Sequence, residues 1–249
     1  MAEDAYNVIV VGAASGIGAA ATRHLAETGL RVFGLDRNEA GMTELAETLQ
    51  REGFDVEAGV ADITDPQSVR RAIADIAGKA GQIHALVNCA GITGKTNIKA
   101  HEVELENFDH VYAINLRGAL IVTQEVLKQM LPHGYGRILH VASIAGKEGN
   151  AGMTAYSATK AGLIGLVKSM AKDYPETGIT INALAPAVIR TPLVDALPDA
   201  TVKYMTDKIP MKRVGELAEA AQMIAWIVSP ACSFTTGFTF DLTGGRATY

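Results

Sequence analysis

Tyr156 and Lys160 stand four residues apart in "TAYSATKAG", residues 154–162, among small side chains. On a helix that spacing puts both on one face. A free phenol titrates near pH ~10, so its phenolate is scarce at neutrality. A neighbouring ammonium favours the phenolate and predicts a lowered tyrosine pKa. Such a phenol can take a proton from a hydroxyl or return one to a carbonyl oxygen. Ser143 lies thirteen residues earlier, and its hydroxyl is a candidate to hold the same oxygen. Singly, each has a plain reading: a half-buried aromatic, a solvated helix charge, a helix cap. Their combination points to acid–base chemistry.

A second group of residues suits a nucleotide. "VGAASGIGAA" sets Gly12, Gly16 and Gly18 between an apolar strand pattern and an alanine-rich helix pattern. Glycine lets backbone approach a ligand, and the helix N-terminus favours a pyrophosphate. The spacing is GxxxGxG, not the commoner GxGxxG. Asp36 ends the next strand pattern, 18 residues after Gly18. A carboxylate there accepts from both adenosine ribose hydroxyls and repels a 2′-phosphate. Ser15 stands where a basic residue could hold that phosphate, so NAD is favoured over NADP. Arg37 complicates this choice, since a guanidinium can stack on adenine or attract a phosphate. Asp36 also reads as a helix cap. Asp62, in "GVADITD", suits either the adenine amino group or a cap for the helix at Pro66. "NCAG", Asn88 to Gly91, offers small residues against which a cofactor can lie, and Cys89 reads as packing.

Strand and helix patterns alternate along the chain. Strands are expected at "YNVIVVG", "RVFGLD", "DVEAGVAD", "IHALVNCAG", "GRILHVAS", "ITINALAP" and "GFTFDLTGG". Helical patterns lie between them, including one long region near 104–131 and others near 199–208 and 215–228. Met223 and Trp226 have helical spacing and read as core. No linker or repeat divides the chain. The expectation is one α/β domain over residues 1–249, a Rossmann-like doubly wound parallel sheet of about seven strands with helices on both faces. Ligands of such sheets bind at the strands' carboxyl ends.

Composition narrows the partners. Net charge is −5 and no basic tract occurs, which argues against nucleic acid. No run of 18 strongly apolar residues calls for a membrane span. The acidic start carries no secretory pattern. Cys89 and Cys232 fit neither a disulfide framework nor a metal cluster, and the six histidines show no ligand spacing. The expected home is the cytoplasm.

Together the glycine loop, "NCAG", Asn115, Ser143 and "YSATK" resemble the short-chain dehydrogenase/reductase family over nearly the whole chain. The resemblance implies a catalytic set of Asn115, Ser143, Tyr156 and Lys160. Asn115 matches the family residue that holds a water in a proton relay to the lysine. It implies that Gly12, Ser15, Gly16, Ile17, Gly18, Asp36, Arg37, Asp62, Ile63, Asn88, Ala90 and Gly91 hold the dinucleotide. Lys160 would hold the nicotinamide ribose, and Tyr156 would stand beside the ring. "LAPAVIRTPL" is similar to the segment that meets the carboxamide, through Pro186, Ile189 and Thr191. Ala187 replaces its usual glycine, and Val11 replaces the threonine usual before the glycine loop.

The substrate is less defined. "SIAGKEGNAGM" joins Ser143 to Tyr156 and must border the reacting carbon. Lys147 is a candidate partner for a carboxylate, Asn150 lends the loop polarity, and Arg190 is another candidate anion partner. Lys147, Glu148 and Arg190 also read as solvated charges. In this family the C-terminus commonly lies near a subunit interface and tetramers are frequent. The resemblance thus implies a homotetramer, with Arg246 and Tyr249 bordering a neighbour's site; a surface tail is the plainer reading. The tail and Asp36 resemble a branch oxidising a secondary alcohol on 2-keto-3-deoxy sugar acids of the fuconate or rhamnonate type. The rivals are 3-oxoacyl-carrier-protein reductase, which goes with NADPH, and a non-catalytic NAD-binding regulator.

Overall fold

The five residues Asn7–Val11 form β1 and are buried on both sides, as a strand at the centre of a parallel sheet must be. Val8 and Val10 face one layer, while Ile9 and Val11 face the other. A computed structural model describes residues 6–196, 198–247 and 249. In it the chain runs from β1 through α1 (Gly16–Glu27), β2 (Arg31–Asp36), α2 (Glu39–Arg51), β3 (Val56–Val60), α3 (Pro66–Ala80) and β4 (Ala85–Asn88). It continues through α4 (Leu105–Tyr112), α5 (Ala119–Met130), β5 (Gly136–Val141), α6 (Ala145–Glu148), α7 (Thr154–Asp173) and β6 (Ile179–Pro186). It ends with α8 (Pro192–Asp195), α9 (Asp199–Asp207), α10 (Leu217–Ile227) and β7 (Thr239–Leu242).

The strands form one sheet in the order β3-β2-β1-β4-β5-β6-β7, every neighbouring pair parallel. Val8 and Val10 pack with Leu25 of α1, Met42 and Leu49 of α2, and Ile224 of α10. Ile9 and Val11 pack with Ile73 of α3, Val126 of α5 and Leu163 of α7. Burying each such side chain contributes roughly 1.5–3 kcal/mol. The expected doubly wound sheet of seven strands is what the chain forms. The strand order reverses between β1 and β4, and that crevice is where such sheets keep a ligand.

Three local features differ from the sequence reading. The expected long helix is broken by a π-turn over Ala113–Gly118, between α4 and α5. Such turns concentrate at functional sites. The segment after Ser143 is not all loop but contains α6. Trp226 is not core: it is 48% exposed and meets Phe240 edge-on. Its helical spacing marks one face of α10 but not which face turns inward, whereas Met223 does pack against the core.

Candidate active site

The carboxyl ends of β1–β4 and the N-terminus of α1 enclose a cavity of about 530 Å³. Gly12 opens it with φ +74°, and a Cβ there would lie 2.7 Å from the Ala90 nitrogen. Glycine at this position therefore lets the first loop and the β4 turn close together. Ser15, Gly16, Ile17 and Gly18 form the next part of the wall. Ser15 is the N-cap of α1 but makes no side-chain capping bond, so unpaired N–H groups face the cavity, as an anionic group requires.

Asp36 and Arg37 line the far end. The Asp36 carboxylate accepts from the Ala14 N–H at 3.0 Å and the Asn38 N–H at 2.9 Å. It is not the helix cap, because Asn38 caps α2 by accepting from the Gly41 N–H. Asp62 and Ile63 stand beside it in the wall. Asp62 does not cap α3 either; Asp65 does. The Thr64 hydroxyl and N–H both donate to Asp62 and hold its carboxyl below the usual range. Cys89, Ala90 and Gly91 close the opposite side. Burial pushes the Cys89 thiol up to about 12, so it is a poor nucleophile at neutrality. Asn88 lies behind this turn, 2% exposed. Thr191 also reaches the wall. Pro186 and Ile189 stand outside it: the Pro186 carbonyl accepts from the Ile144 N–H, and Ile189 bridges to Gly215.

The four proposed catalytic side chains are not part of the cavity wall; Lys160 and Asn115 lie behind its Gly91, and Tyr156 stands beside Lys160. Tyr156 is half-buried on the first turn of α7, and Ser143 follows β5. The Ser143 hydroxyl lies close enough to the phenol to favour its ionised form. It also accepts from the Ala145 N–H at 3.1 Å, although the N-cap of α6 is Ile144 and not Ser143. Lys160 is 3% exposed. Its Nζ donates to the Val141 carbonyl at 2.7 Å and lies 5.7 Å from the Tyr156 ring centre. A Cβ on Gly91 would sit 3.2 Å from that nitrogen and 3.3 Å from Asn115 Oδ1, so glycine leaves both side chains their room. Asn115, on the π-turn, accepts from the Ile92 N–H at 2.8 Å and donates to the Ile92 carbonyl at 2.9 Å. Its amide also donates to Thr159 Oγ.

The expected lowering of the tyrosine pKa is corrected here. Burial raises Tyr156 above its ordinary value, and the nearby Ser143 hydroxyl only partly opposes this. The same burial drives the Lys160 ammonium down to about 8. Desolvation penalises both charged forms and is the largest cause of each shift.

The candidate substrate cations are already paired, and none lines the cavity. Lys147 is held by Asp241 at 2.7 Å and by the Tyr249 carbonyl, while the Tyr249 hydroxyl donates to the Lys147 carbonyl. Its charge is thus met within the chain, contrary to the reading of a free carboxylate partner. Arg190 is exposed and bonded to Asp195 and Glu216. Arg246 donates to Glu148 at 2.9 Å and to Asn150 at 3.0 Å. The tail therefore packs on its own chain's segment between Ser143 and Tyr156. Asn150 in turn accepts this contact while its N–H donates to Ser157 Oγ, next to Tyr156. Sequence reasoning missed Thr159, His110, Ala113 and Ile114. Nothing singles out His110, whereas Ala113 and Ile114 simply precede Asn115.

A parallel sheet with a glycine-lined cavity at its switch point, beside a half-buried tyrosine and a buried lysine and serine, defines a dinucleotide-dependent oxidoreductase. The comparisons agree. The family model described as short chain dehydrogenase matches residues 6–201, and the chain belongs to that family. It is 42% identical over 244 residues to 2-dehydro-3-deoxy-L-rhamnonate dehydrogenase (NAD(+)) of Sphingomonas sp. strain SKA58, covering 97% of this chain and 95% of that one. It is 35% identical to the 3-oxoacyl-[acyl-carrier-protein] reductase FabG of Thermotoga maritima, covering 95% and 96%. Among solved structures it resembles an actinorhodin polyketide ketoreductase variant with NADPH, at TM-score 0.93 and 31% identity over the full length of both. The protein is therefore an NAD(P)-dependent oxidoreductase acting on CH–OH groups of a small polar substrate.

Among the described residues no group of three His, Cys, Asp or Glu could hold a metal ion, and no helix is long and apolar enough to cross a membrane.

Proposed function

We propose that the protein oxidises a secondary alcohol on a 2-keto-3-deoxy sugar acid with NAD, reversibly. The observation that carries the cofactor choice is Asp36: its carboxylate lines the cavity, while the glycine loop offers Ser15 and no cation. The name of the Sphingomonas relative supports the same cofactor and substrate class. Glycine at 12, the free N-terminus of α1, and Asp36 and Asp62 fit a dinucleotide along the cavity. Bound there, the dinucleotide supplies the hydride acceptor and, when oxidised, a positive charge that favours the phenolate.

The chain's residues handle the oxygen and its proton. Ser143 holds the substrate oxygen by hydrogen bonding. Tyr156 accepts the hydroxyl proton in oxidation and donates it in reduction. Lys160, titrating at about 8, exchanges protons readily near neutral pH and restores the tyrosine. Asn115 secures the turn beside Lys160 through Ile92. Arg246 from the tail, bonded to Asn150 between α6 and α7, would border the substrate end. A cytoplasmic homotetramer belongs to this proposal.

The test is a screen of the purified protein with NAD and with NADP, following reduced-cofactor absorbance. Turnover of a 2-keto-3-deoxy sugar acid with NAD is the expected result. Silence with NAD, together with NADPH consumption on a 3-oxoacyl thioester, overturns both cofactor and substrate.

A further inference from the structure

His140 lies near the carboxyl end of β5, is fully buried and takes no part in the chemistry above. Its Nε2 is 3.0 Å from Thr123 Oγ on α5, and its Nδ1 is 3.2 Å from Asn88 Nδ2 on β4. Both ends of this chain of contacts fix the proton positions. Thr123 spends its one hydroxyl proton on the Ala119 carbonyl at 2.7 Å. It can then only accept from the histidine, so Nε2 carries the hydrogen. At the other end the Ala90 N–H donates to Asn88 Oδ1 at 3.2 Å. The Asn88 amide must therefore turn its NH₂ toward His140, which requires a bare Nδ1. Two independent constraints select the same tautomer.

We propose that His140 is a positioning residue for the dinucleotide: its bare Nδ1 orients Asn88, and Asn88 holds the Ala90 turn that forms one wall of the cavity. Ala90 sits directly against Gly12, where a Cβ would approach its nitrogen to 2.7 Å. A displaced turn therefore moves the wall opposite the glycine loop. Lys160 is the charged group that acts on the ring. A second proton on Nδ1 would face the Asn88 amide hydrogens and add charge beside Lys160. Burial and that neighbour hold the ring neutral down to about pH 3.

The inference rests on the dinucleotide lying in this cavity, and calorimetric NAD binding to the unaltered protein checks that first. Asparagine at 140 places an amide oxygen roughly where Nδ1 stands; glutamine places its amide where Nε2 stands. H140N thus keeps an acceptor for Asn88, while H140Q keeps only the Thr123 contact and leaves a buried amide unpaired. The expected dissociation constant for NAD is within about twofold of normal for H140N and about tenfold higher for H140Q. Equal affinities for the two variants overturn the proposal. Nitrogen-15 NMR of histidine-labelled protein decides independently of any variant's folding. A protonated Nε2 and bare Nδ1 on His140 are expected, and the opposite tautomer overturns it.

Discussion

The burial of Lys160 has a consequence that can be measured at moderately alkaline pH. Its ordinary value is 10.5, and burial lowers it to about 8 in the folded protein. The unfolded chain therefore binds more protons than the native one between those values, and stability rises with pH across that window. Below about pH 8 the folded state carries the full cost of the buried ammonium, roughly 3 kcal/mol. Between pH 7.5 and 9.5 about 2 kcal/mol of it is relieved. Lys160→Met removes the titration while keeping the volume. Urea unfolding of both proteins without cofactor, at several pH values in that range, isolates the effect as a difference of differences. The unaltered protein should gain about 2 kcal/mol relative to the variant as pH rises. Parallel pH dependences, or a relative loss, refute a desolvated lysine and with it the idea that Lys160 exchanges protons near neutrality.

Other consequences are simpler to read. Tyr156→Phe removes the proton carrier without emptying its space, and turnover should fall by about 10²–10⁴ while calorimetric NAD binding changes less than about twofold; full activity would sink the mechanism. Asp36→Asn removes a negative charge from the cavity wall, and the NAD-to-NADP ratio of kcat/KM should shrink by roughly tenfold to a hundredfold. Both cofactors share any loosening of the loop, so an unchanged ratio takes Asp36 out of the argument. Arg246→Ala frees Glu148 and Asn150, and the substrate KM should rise about five- to tenfold with the dinucleotide KM unmoved; equal rises in both would mean a general loss of structure instead.

Much of the fold was legible because its signals are local. "RVFGLD" and "ITINALAP" are strands over the residues expected. Gly29, just past the end of α1, takes φ +86°, the conformation of a glycine that ends a helix. The glycine loop was legible for the same reason, since a turn's needs are written in its own residues. Capping was less so. Asp36 and Asp62 each stand near a helix start, yet Asn38 and Asp65 cap those helices. The choice depends on a backbone path set by neighbouring strands.

Electrostatics was the least legible, and Tyr156 shows why. Spacing states that Lys160 is one turn away, but it says nothing of depth. At the surface the ammonium would win and lower the tyrosine. Enclosed by Val141, Gly91 and Asn115, the lysine is itself short of solvent and gives up charge before it can stabilise a phenolate. The same enclosure needs the π-turn, which brings Asn115 to the Ile92 backbone and Ile114 to the cavity wall. No periodicity in residues 104–131 marks that extra-wide turn. Its cause lies in the β4 loop it must meet, so a helix read on its own pattern continues straight through it. The catalytic pair is thus readable as a pair, while its proton affinity belongs to the tertiary structure that buries it.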